Sequence, residues 1–496
     1  MNESRNFQLF FMSAFFFLAV VMLVMNDVMS VWEGAETQWI SMAQQNPGLN
    51  FPAVIVGNMP AVYFPFFQRL PGVLIILVGL AGFYGLGWRI FGREATLLTI
   101  LLLSGTFLIA TLGKLATLDC WVFTTQLLAL ISLIRFVKEP KLIWRVLSAL
   151  LLLGALWLEP LGTLILGMSF SLWIFFRHPQ GKNLLQLHPW GILIIGLLIA
   201  YLFNFLHWRQ PAALLGFFQI SYSDFLLYSM LALLPIIGFC LGGLRDLFFK
   251  LRRGEELANI LVIWILGAIL AESAILQVGF CLLAAKQIQS WNNPKYPFQN
   301  WVKTGAILHV IAAFGIGFYL MTKGFVAFGP AGFRAGLAIT AAYWTFSLAG
   351  VVGLYAQRRN LLIAGPVLSG LIGMLFFWVW AYPPIESKRL PYQAIIHLEA
   401  MDTTRTLPLV YCQNEGAIPL SLQVKMDQLD RKVLNWDTVE DKTDPVAGIY
   451  FYPVGLENQV FNQPPDSSTT IQLWRDNLQG QEWKMVNLDL SVNKVQ

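Results

Sequence analysis

Residues 69–136 read RLPGVLIILVGLAGFYGLGWRIFGREATLLTILLLSGTFLIATLGKLATLDCWVFTTQLLALISLIRF. The stretch contains three apolar runs, at roughly 70–88, 95–112 and 119–134. Each run is close to the length of about 20 residues that an α-helix needs to cross a bilayer. The short breaks between them hold Gly, Arg, Glu and Lys, and Asp119 begins the third run. Runs of this length and spacing predict helices that cross a membrane back and forth.

The composition of the whole chain supports a membrane protein. Of the 496 residues, 56% are hydrophobic and only 12% are charged. Soluble globular domains carry about 25% charged residues. The composition therefore excludes an ordinary cytosolic enzyme, a disordered protein and a nucleic-acid-binding protein.

Charge divides the chain into two regions. Residues 1–382 hold 23 Lys and Arg against 13 Asp and Glu, and residues 383–496 hold 10 against 15. The net charges of +10 and −5 sum to the +5 of the chain. We therefore expect a transmembrane domain over 1–382 and a small soluble α/β domain over 383–496, on the outer side of the membrane.

Thirteen transmembrane helices are predicted, the first of them a retained helix rather than a cleaved signal peptide. They lie at roughly 7–26, 70–88, 95–112, 119–134, 143–158, 160–176, 190–206, 224–244, 257–271, 273–286, 304–322, 334–355 and 360–382. With a cytoplasmic N-terminus, seventeen Lys and Arg fall in inner loops and five in outer loops. Cytoplasmic loops are the ones enriched in these residues, so this orientation is favoured.

The first outer loop, residues 27–69, is long and rich in aromatic residues. Within it, VWEGAETQWISMAQQ (31–45) places Trp32, Ala35, Trp39 and Met42 on one helical face. Acidic residues lie off that face. This pattern predicts interfacial helices that lie in the membrane plane with their carboxylates toward the outer aqueous side.

Candidate chemistry is concentrated in acidic residues, because the chain has no P-loop, dinucleotide-binding glycine pattern, HExxH or GxSxG motif. Seven carboxylates map to the outer side: Asp27, Glu33, Glu36, Asp119, Glu159, Asp224 and Glu272. Ionisable groups at membrane depth are costly, so each of them is a functional candidate.

Each candidate also has a purely structural interpretation. Asp119 and Asp224 begin helices, where a carboxylate can cap free N–H groups. The loop glutamates can form the wet face of a surface helix. Asp27 can mark the membrane interface at the end of the first helix, and Glu159 and Glu272 can be turn residues. Outer Lys and Arg side chains can bind a phosphate or extend to lipid headgroups.

The motifs in the quoted stretch resemble those of C-type-fold membrane glycosyltransferases, the relatives of protein O-mannosyltransferases and lipid A aminoarabinose transferases (families 39 and 83). The matching segments are RLPG at 69–72, FGR at 91–93, GKLATLD at 113–119, AETQWISMA at 35–43 and LEPLG at 158–162. The resemblance covers roughly residues 1–240, and the rest matches in topology.

The resemblance implies an inverting glycosyltransferase that moves a sugar from a polyprenyl-phosphate donor to a lipid, glycan or protein acceptor outside the plasma (inner) membrane. It implies that Glu36 or Glu33 is the catalytic base and that Asp119 orients the base or acts as a second carboxylate. The donor phosphate would contact Lys114, Arg69 and Arg209. The substrate would be lined by Asp27, Trp39, Tyr63, Phe64 and Glu159.

The chain departs from the family pattern at three places. The family's loop aspartate falls at Ala35, its EKPP element is reduced to Asn58-Met59-Pro60, and Leu158 replaces the lysine before Gly-Pro. The choice of base between Glu33 and Glu36 is therefore open. A divalent metal between carboxylates is compatible with the resemblance, although no ligand spacing demands it.

Two other function classes fit the composition. A transporter or flippase of polyprenyl lipids would place facing charges at the bilayer midplane and show inverted repeats. No repeat is evident, and the acidic residues gather on one side. A noncatalytic scaffold would use the outer domain to bind a partner.

Overall fold

The computed structural model describes residues 2–26, 36, 64–177, 195–197, 222–291, 293, 296–387, 390–402, 407–412, 422, 426, 429, 431–435, 448–453, 471–475 and 482–488. The α-helices, in chain order, are α1 Asn2–Leu23, α2 Phe64–Phe91, α3 Arg93–Ser104, α4 Phe107–Lys114, α5 Asp119–Lys138, α6 Leu142–Leu158, α7 Pro160–Arg177, α8 Tyr222–Ala232, α9 Ile237–Arg252, α10 Glu256–Leu270, α11 Leu276–Trp291, α12 Gln299–Tyr355, α13 Arg359–Phe376, α14 Tyr382–Glu386 and α15 Leu390–Met401. The strands are β1 Leu409–Tyr411, β2 Val433–Asn435, β3 Gly448–Pro453, β4 Ile471–Arg475 and β5 Glu482–Leu488.

Several helices are long and apolar enough to cross a membrane. Within the described residues there are four, at Phe66–Phe91, Asp119–Lys138, Gln299–Tyr355 and Arg359–Glu386. The number rises to six if the bent pairs α3–α4 and α8–α9 are each one span. The chain is thus an integral membrane protein, and the number of thirteen spans stays a prediction.

The helix α12 is a hairpin rather than one rod. Gly329 leaves helical geometry with φ 62° and ψ −146°, a backbone conformation that glycine adopts without strain, and Pro330 follows it. Beyond the kink, Trp344 donates its indole N–H to the carbonyl of Ala313 at 2.9 Å and stacks on Phe314 with ring centroids 4.0 Å apart. These contacts require the two halves of α12 to run antiparallel. The two halves match the separate helices predicted at 304–322 and 334–355.

A bend of 68° separates α3 from α4. At this bend, Gly105 approaches α13 so closely that a Cβ on it would lie 2.9 Å from the Cα of Val367. The hydroxyl of Thr106 donates to the carbonyl of Leu103 at 2.7 Å, which satisfies one carbonyl at the end of α3. The bend sets the direction of α4, and therefore the position of Lys114 at its end.

The chain forms two compact units. The first comprises Met1–Val24 and Arg69–Val379, and the second comprises Met25–Gln68 and Trp380–Gln496. The first unit is helical throughout its described residues. The domain boundaries expected at 27–69 and 383 stay predictions.

The second unit contains a mixed five-stranded sheet with strand order β2-β1-β3-β5-β4. The strand β1 pairs in parallel with β2 and β3, whereas β5 pairs antiparallel with β3 and β4. Three strands fall on segments that the sequence marks as β-rich, PLVYC, GIYFYPV and WKMVNLDL. That this region is an independent soluble α/β domain stays a prediction.

One face of the sheet packs on α15. The core there includes Ala394 and Leu398 of the helix and Leu409, Tyr411 and Phe451 of the strands. Alternate residues of β1 face the helix, as the period of two in a strand requires.

The hairpin between α12 and α13 gives a direct test of the packing. A Cβ on Gly365 would lie 2.5 Å from the backbone N of Gly350 and 2.8 Å from the carbonyl of Phe346. We expect Gly365→Ala to destabilise the protein by about 1–3 kcal/mol, since the backbone cannot move away easily. The measurement is the thermal unfolding midpoint of the purified protein in detergent.

The matched control is Gly315→Ala on α12. A Cβ on Gly315 would meet no other atom within 4 Å. Alanine favours the helix by about 1 kcal/mol over glycine, so this variant should be neutral or slightly more stable. Equal midpoints for the two variants would show that α12 and α13 do not pack as described.

Candidate functional site

The segment GKLATLD joins α4 to α5 and places Asp119 in the first turn of α5. Leu118 is the N-cap residue and makes no side-chain cap. The carboxylate of Asp119 is buried and accepts a hydrogen bond from the hydroxyl of Thr117. The positive end of the helix dipole favours a negative charge at this position. Asp119 is thus the first residue of α5, and its carboxylate also accepts from its own backbone N–H, which is one of the free N–H groups of the first turn.

Lys114 ends α4 and is fully buried. Its ammonium donates to the carbonyl of Val24, which follows the last residue of α1. The ring of Trp378 lies under the same ammonium, 4.8 Å from Nζ to its centroid. A buried cation at the C-terminus of a helix satisfies an orphan carbonyl and complements the dipole.

The helix α2 brings Arg69 to the same end of the bundle. A Cβ on Gly72 would lie 3.3 Å from the carbonyl of Leu115 and 3.4 Å from that of Gly113, so α2 packs closely on the GKLATLD segment. Arg69 is buried and precedes Gly72 by three residues, which is about 4.5 Å along a helix. The backbone at Arg69 therefore lies near the turn that has Lys114 at one end and Asp119 at the other.

Glu159 lies in the turn between α6 and α7, where it caps α7. Its carboxylate accepts from the backbone N–H groups of Gly162 at 2.8 Å and Thr163 at 3.0 Å. The side-chain amide of Gln126 also donates to it, at 3.0 Å. This is the turn role that the sequence leaves open for Glu159.

Gln126 is a residue of this site that the sequence analysis missed. It is buried, and its amide also donates to the hydroxyl of Thr163 at 3.0 Å. Ser273, in the turn before α11, donates to the carbonyl oxygen of Gln126 at 2.5 Å. Gln126 thereby joins three helical segments. The sequence feature that could have identified Gln126 is its spacing of seven residues from Asp119, which places both residues on one face of α5.

The remaining predicted residues are only partly described. Glu36 is buried within the second unit. Phe64 begins α2, and only its backbone is described. Five others lie outside the described residues: Asp27, Glu33, Trp39, Tyr63 and Arg209. Their roles stay predictions.

The described residues contain no group of three or more His, Cys, Asp and Glu side chains that could hold a metal ion. Asp119 and Glu159 supply two carboxylates to the site. The divalent metal that is compatible with the sequence stays a prediction.

The site combines buried carboxylates with buried cations at one end of a helical bundle. Buried cations favour an anionic group, and a carboxylate accepts hydrogen bonds from a neutral ligand. The Lys114 bond to Val24 and the Glu159 cap also show that two of these charges stabilise helix ends.

Comparisons with known proteins agree with this fold. The family model described as dolichyl-phosphate-mannose-protein mannosyltransferase matches residues 66–208, which include the GKLATLD segment and Glu159. The apo structure of ArnT from Cupriavidus metallidurans superposes with a TM-score of 0.64 at 13% identity, covering 98% of each chain. The structure of that ArnT bound to undecaprenyl phosphate gives 0.60 at 14% identity, covering 97% of this chain and 98% of the other.

No curated protein sequence matches the chain significantly. The resemblance to C-type-fold membrane glycosyltransferases predicted from the sequence is confirmed by the family model and by the shared fold. At 13–14% identity the likeness to ArnT establishes the fold alone.

The cap at Glu159 gives a testable consequence for stability. We expect Glu159→Ala to lower the free energy of unfolding by about 1–2 kcal/mol, because the first turn of α7 loses its acceptor. Glu159→Gln is the matched control, since it keeps one oxygen for these N–H groups. Thermal unfolding in detergent should rank wild type, Glu159→Gln and Glu159→Ala in that order. An alanine variant as stable as wild type would contradict the capping role.

Proposed function

We propose that the protein is an inverting membrane glycosyltransferase that moves a sugar from a polyprenyl-phosphate donor to a lipid, glycan or protein acceptor. The observation that carries the proposal is the buried turn with Lys114 at one end and Asp119 at the other, close to the start of α2, in a chain with the ArnT fold. The ArnT of this fold was solved with undecaprenyl phosphate, a polyprenyl phosphate, which supports this donor class.

The reaction forms a bond between the acceptor oxygen and the anomeric carbon and breaks the bond from that carbon to the phosphate oxygen. A carboxylate takes the proton of the acceptor hydroxyl, and the polyprenyl phosphate leaves with the bonding electrons. General bases of this kind contribute about 10²–10⁴-fold to the rate. The leaving phosphate gains negative charge as the bond breaks, so a cation beside it stabilises the transition state.

Lys114 and Arg69 are proposed to contact the phosphate, with Arg209 as a third cation. Both described cations are buried, and a charge in a site that excludes water acts more strongly than one in solution. Trp378 lies against the ammonium of Lys114 and fixes its direction.

Glu36 or Glu33 is proposed as the base, and Asp119 as the carboxylate that orients the base or the acceptor. The burial of Glu36 supports this choice, because a buried carboxylate does not belong to the water-exposed face of a surface helix. Asp27, Trp39, Tyr63, Phe64 and Glu159 are proposed to line the substrate.

The proposed location is the plasma (inner) membrane, with the N-terminus in the cytoplasm and the C-terminal region outside. The excess of Lys and Arg in the loops of one side supports this orientation. Transfer would then take place on the outer side, on lipid A, another glycan or a protein.

Replacing Asp119 tests the chemistry. We expect Asp119→Asn to reduce sugar transfer by about 100-fold or more, because the neutral amide cannot supply the negative charge. Transfer is measured with purified protein, radiolabelled polyprenyl-phosphate sugars and a membrane extract as the acceptor source.

The control for this variant is Asp224→Asn, which changes another aspartate in the first turn of a helix, α8. It should transfer at the wild-type rate. Undiminished transfer by Asp119→Asn would remove Asp119 from the proposed site. If no donor supports transfer by wild type, a transporter or scaffold explains the fold better.

Replacing Lys114 tests donor binding separately from turnover. We expect Lys114→Gln to weaken binding of undecaprenyl phosphate by about tenfold, and Lys114→Arg to recover part of the loss. The charge-matched control is Lys323→Gln, an exposed lysine on α12. Binding is measured by isothermal titration in detergent, with the unfolding midpoint as a check, since Lys114 also supports the end of α1. Equal affinity in wild type and Lys114→Gln would exclude a phosphate contact.

A further inference from the structure

A second polar cleft lies at the other end of the α3–α4 pair from Lys114, within the first unit. Its volume is about 880 Å³, and it is formed where α1, α3 and α13 begin. The polar residues that line it include Gln8, Arg93, Glu94, Arg358 and Arg359. The cleft is therefore separate from the site around Asp119.

Positive charge is in excess among the described residues that line the cleft. They comprise three arginines and one carboxylate. The carboxylate of Glu94 is occupied by an ion pair with Arg359. Within the described part of the chain, the side chains of Arg93 and Arg358 form no hydrogen bond or ion pair. Two guanidinium groups that face the same cleft are thus available to a ligand.

The backbone adds to this charge. The helices α3 and α13 begin at Arg93 and Arg359, and neither N-cap residue caps its helix with a side chain. The N–H groups of a first turn have no acceptor within the helix, and they carry the positive end of its dipole. The carboxylate of Glu94 offsets part of the positive charge at the beginning of α3. The positive charge that remains comes from the first turn of α13 and from the guanidinium groups of Arg93 and Arg358.

From these features we propose that the cleft binds a phosphate-bearing anion. The planar guanidinium group matches two oxygens of a phosphate, which is why arginine is common at phosphate sites. The amides of Gln8, Gln357 and Asn360 line the same cleft and can bind the hydroxyl or ester oxygens of an attached group. Small-molecule sites have volumes of about 300–1,000 Å³, so the cleft holds more than a bare phosphate.

The phosphate has two potential sources, the headgroup of an anionic phospholipid and a soluble phosphate ion. Leu97, Leu361 and Ile363 also line the cleft, and they give it an apolar side that suits a lipid. The two sources are separated by two probes, soluble short-chain phosphatidylglycerol and inorganic phosphate.

The experiment is isothermal titration of the full-length protein in detergent with each probe. It compares wild type with the double variant Arg93→Gln, Arg358→Gln. We expect wild type to bind at least one probe and the double variant to bind it about tenfold more weakly or worse. Binding of the lipid alone assigns the site to a headgroup, and equally tight binding of phosphate assigns it to a soluble anion.

The matched control is the double variant Arg252→Gln, Arg253→Gln, which removes the same charge at the end of α9. Its affinity should equal that of wild type.

The single variant Arg93→Gln provides a milder second test, and gel filtration checks the folding of all variants. Failure of wild type to bind either probe, or equal binding by wild type and the Arg93/Arg358 double variant, would overturn the proposal. Sugar transfer is not the readout, so the result is independent of the proposed function.

Discussion

The first unit depends on satisfying polar groups inside a helical bundle that lipid surrounds. In hydrocarbon no water can replace a missing partner, so every broken helix needs an internal donor or acceptor. Lys114 donates to the carbonyl of Val24 at the end of α1, and Lys286 donates to that of Phe91 at the end of α2, at 2.7 Å. Trp264 donates to the carbonyl of Ile275 at 3.0 Å. These bonds satisfy carbonyls at helix ends and turns inside the bundle.

Close packing by glycine is the second requirement, because lipid gives helices no hydrophobic reason to associate with one another. Small residues let helix backbones approach and gain van der Waals contact. A Cβ on Gly238 would lie 2.8 Å from the carbonyl of Gly305, so α9 meets α12 at this pair. Gly105 and Gly365 play the same part at other crossings. Gly105 precedes α4, so its close approach to α13 helps to position α4 and, through it, the start of α5.

Part of the site could be predicted from local sequence and part could not. The GKLATLD segment combines a lysine, a turn and an aspartate within seven residues, and a short segment retains its geometry in any fold. The network of Gln126, Glu159 and Ser273 spans 147 residues of chain. No local sequence pattern predicts which polar side chains will form hydrogen bonds over such a distance along the chain. For the same reason the sequence did not decide whether Glu159 caps α7 or contacts the substrate. An acidic residue before a proline fits both roles.

The sequence by itself determined that the protein resides in a membrane, where most helices begin and end, and which polar residues are too costly to be accidental. Hydropathy and the cost of buried charge act residue by residue, so they can be read without a structure. The tertiary structure was needed to show that Lys114 reaches the end of α1, that Gln126 meets Glu159 and Ser273, and that Arg93 and Arg358 face one cleft. Those features depend on contacts between residues far apart in the chain, and such contacts are fixed by packing of the whole bundle.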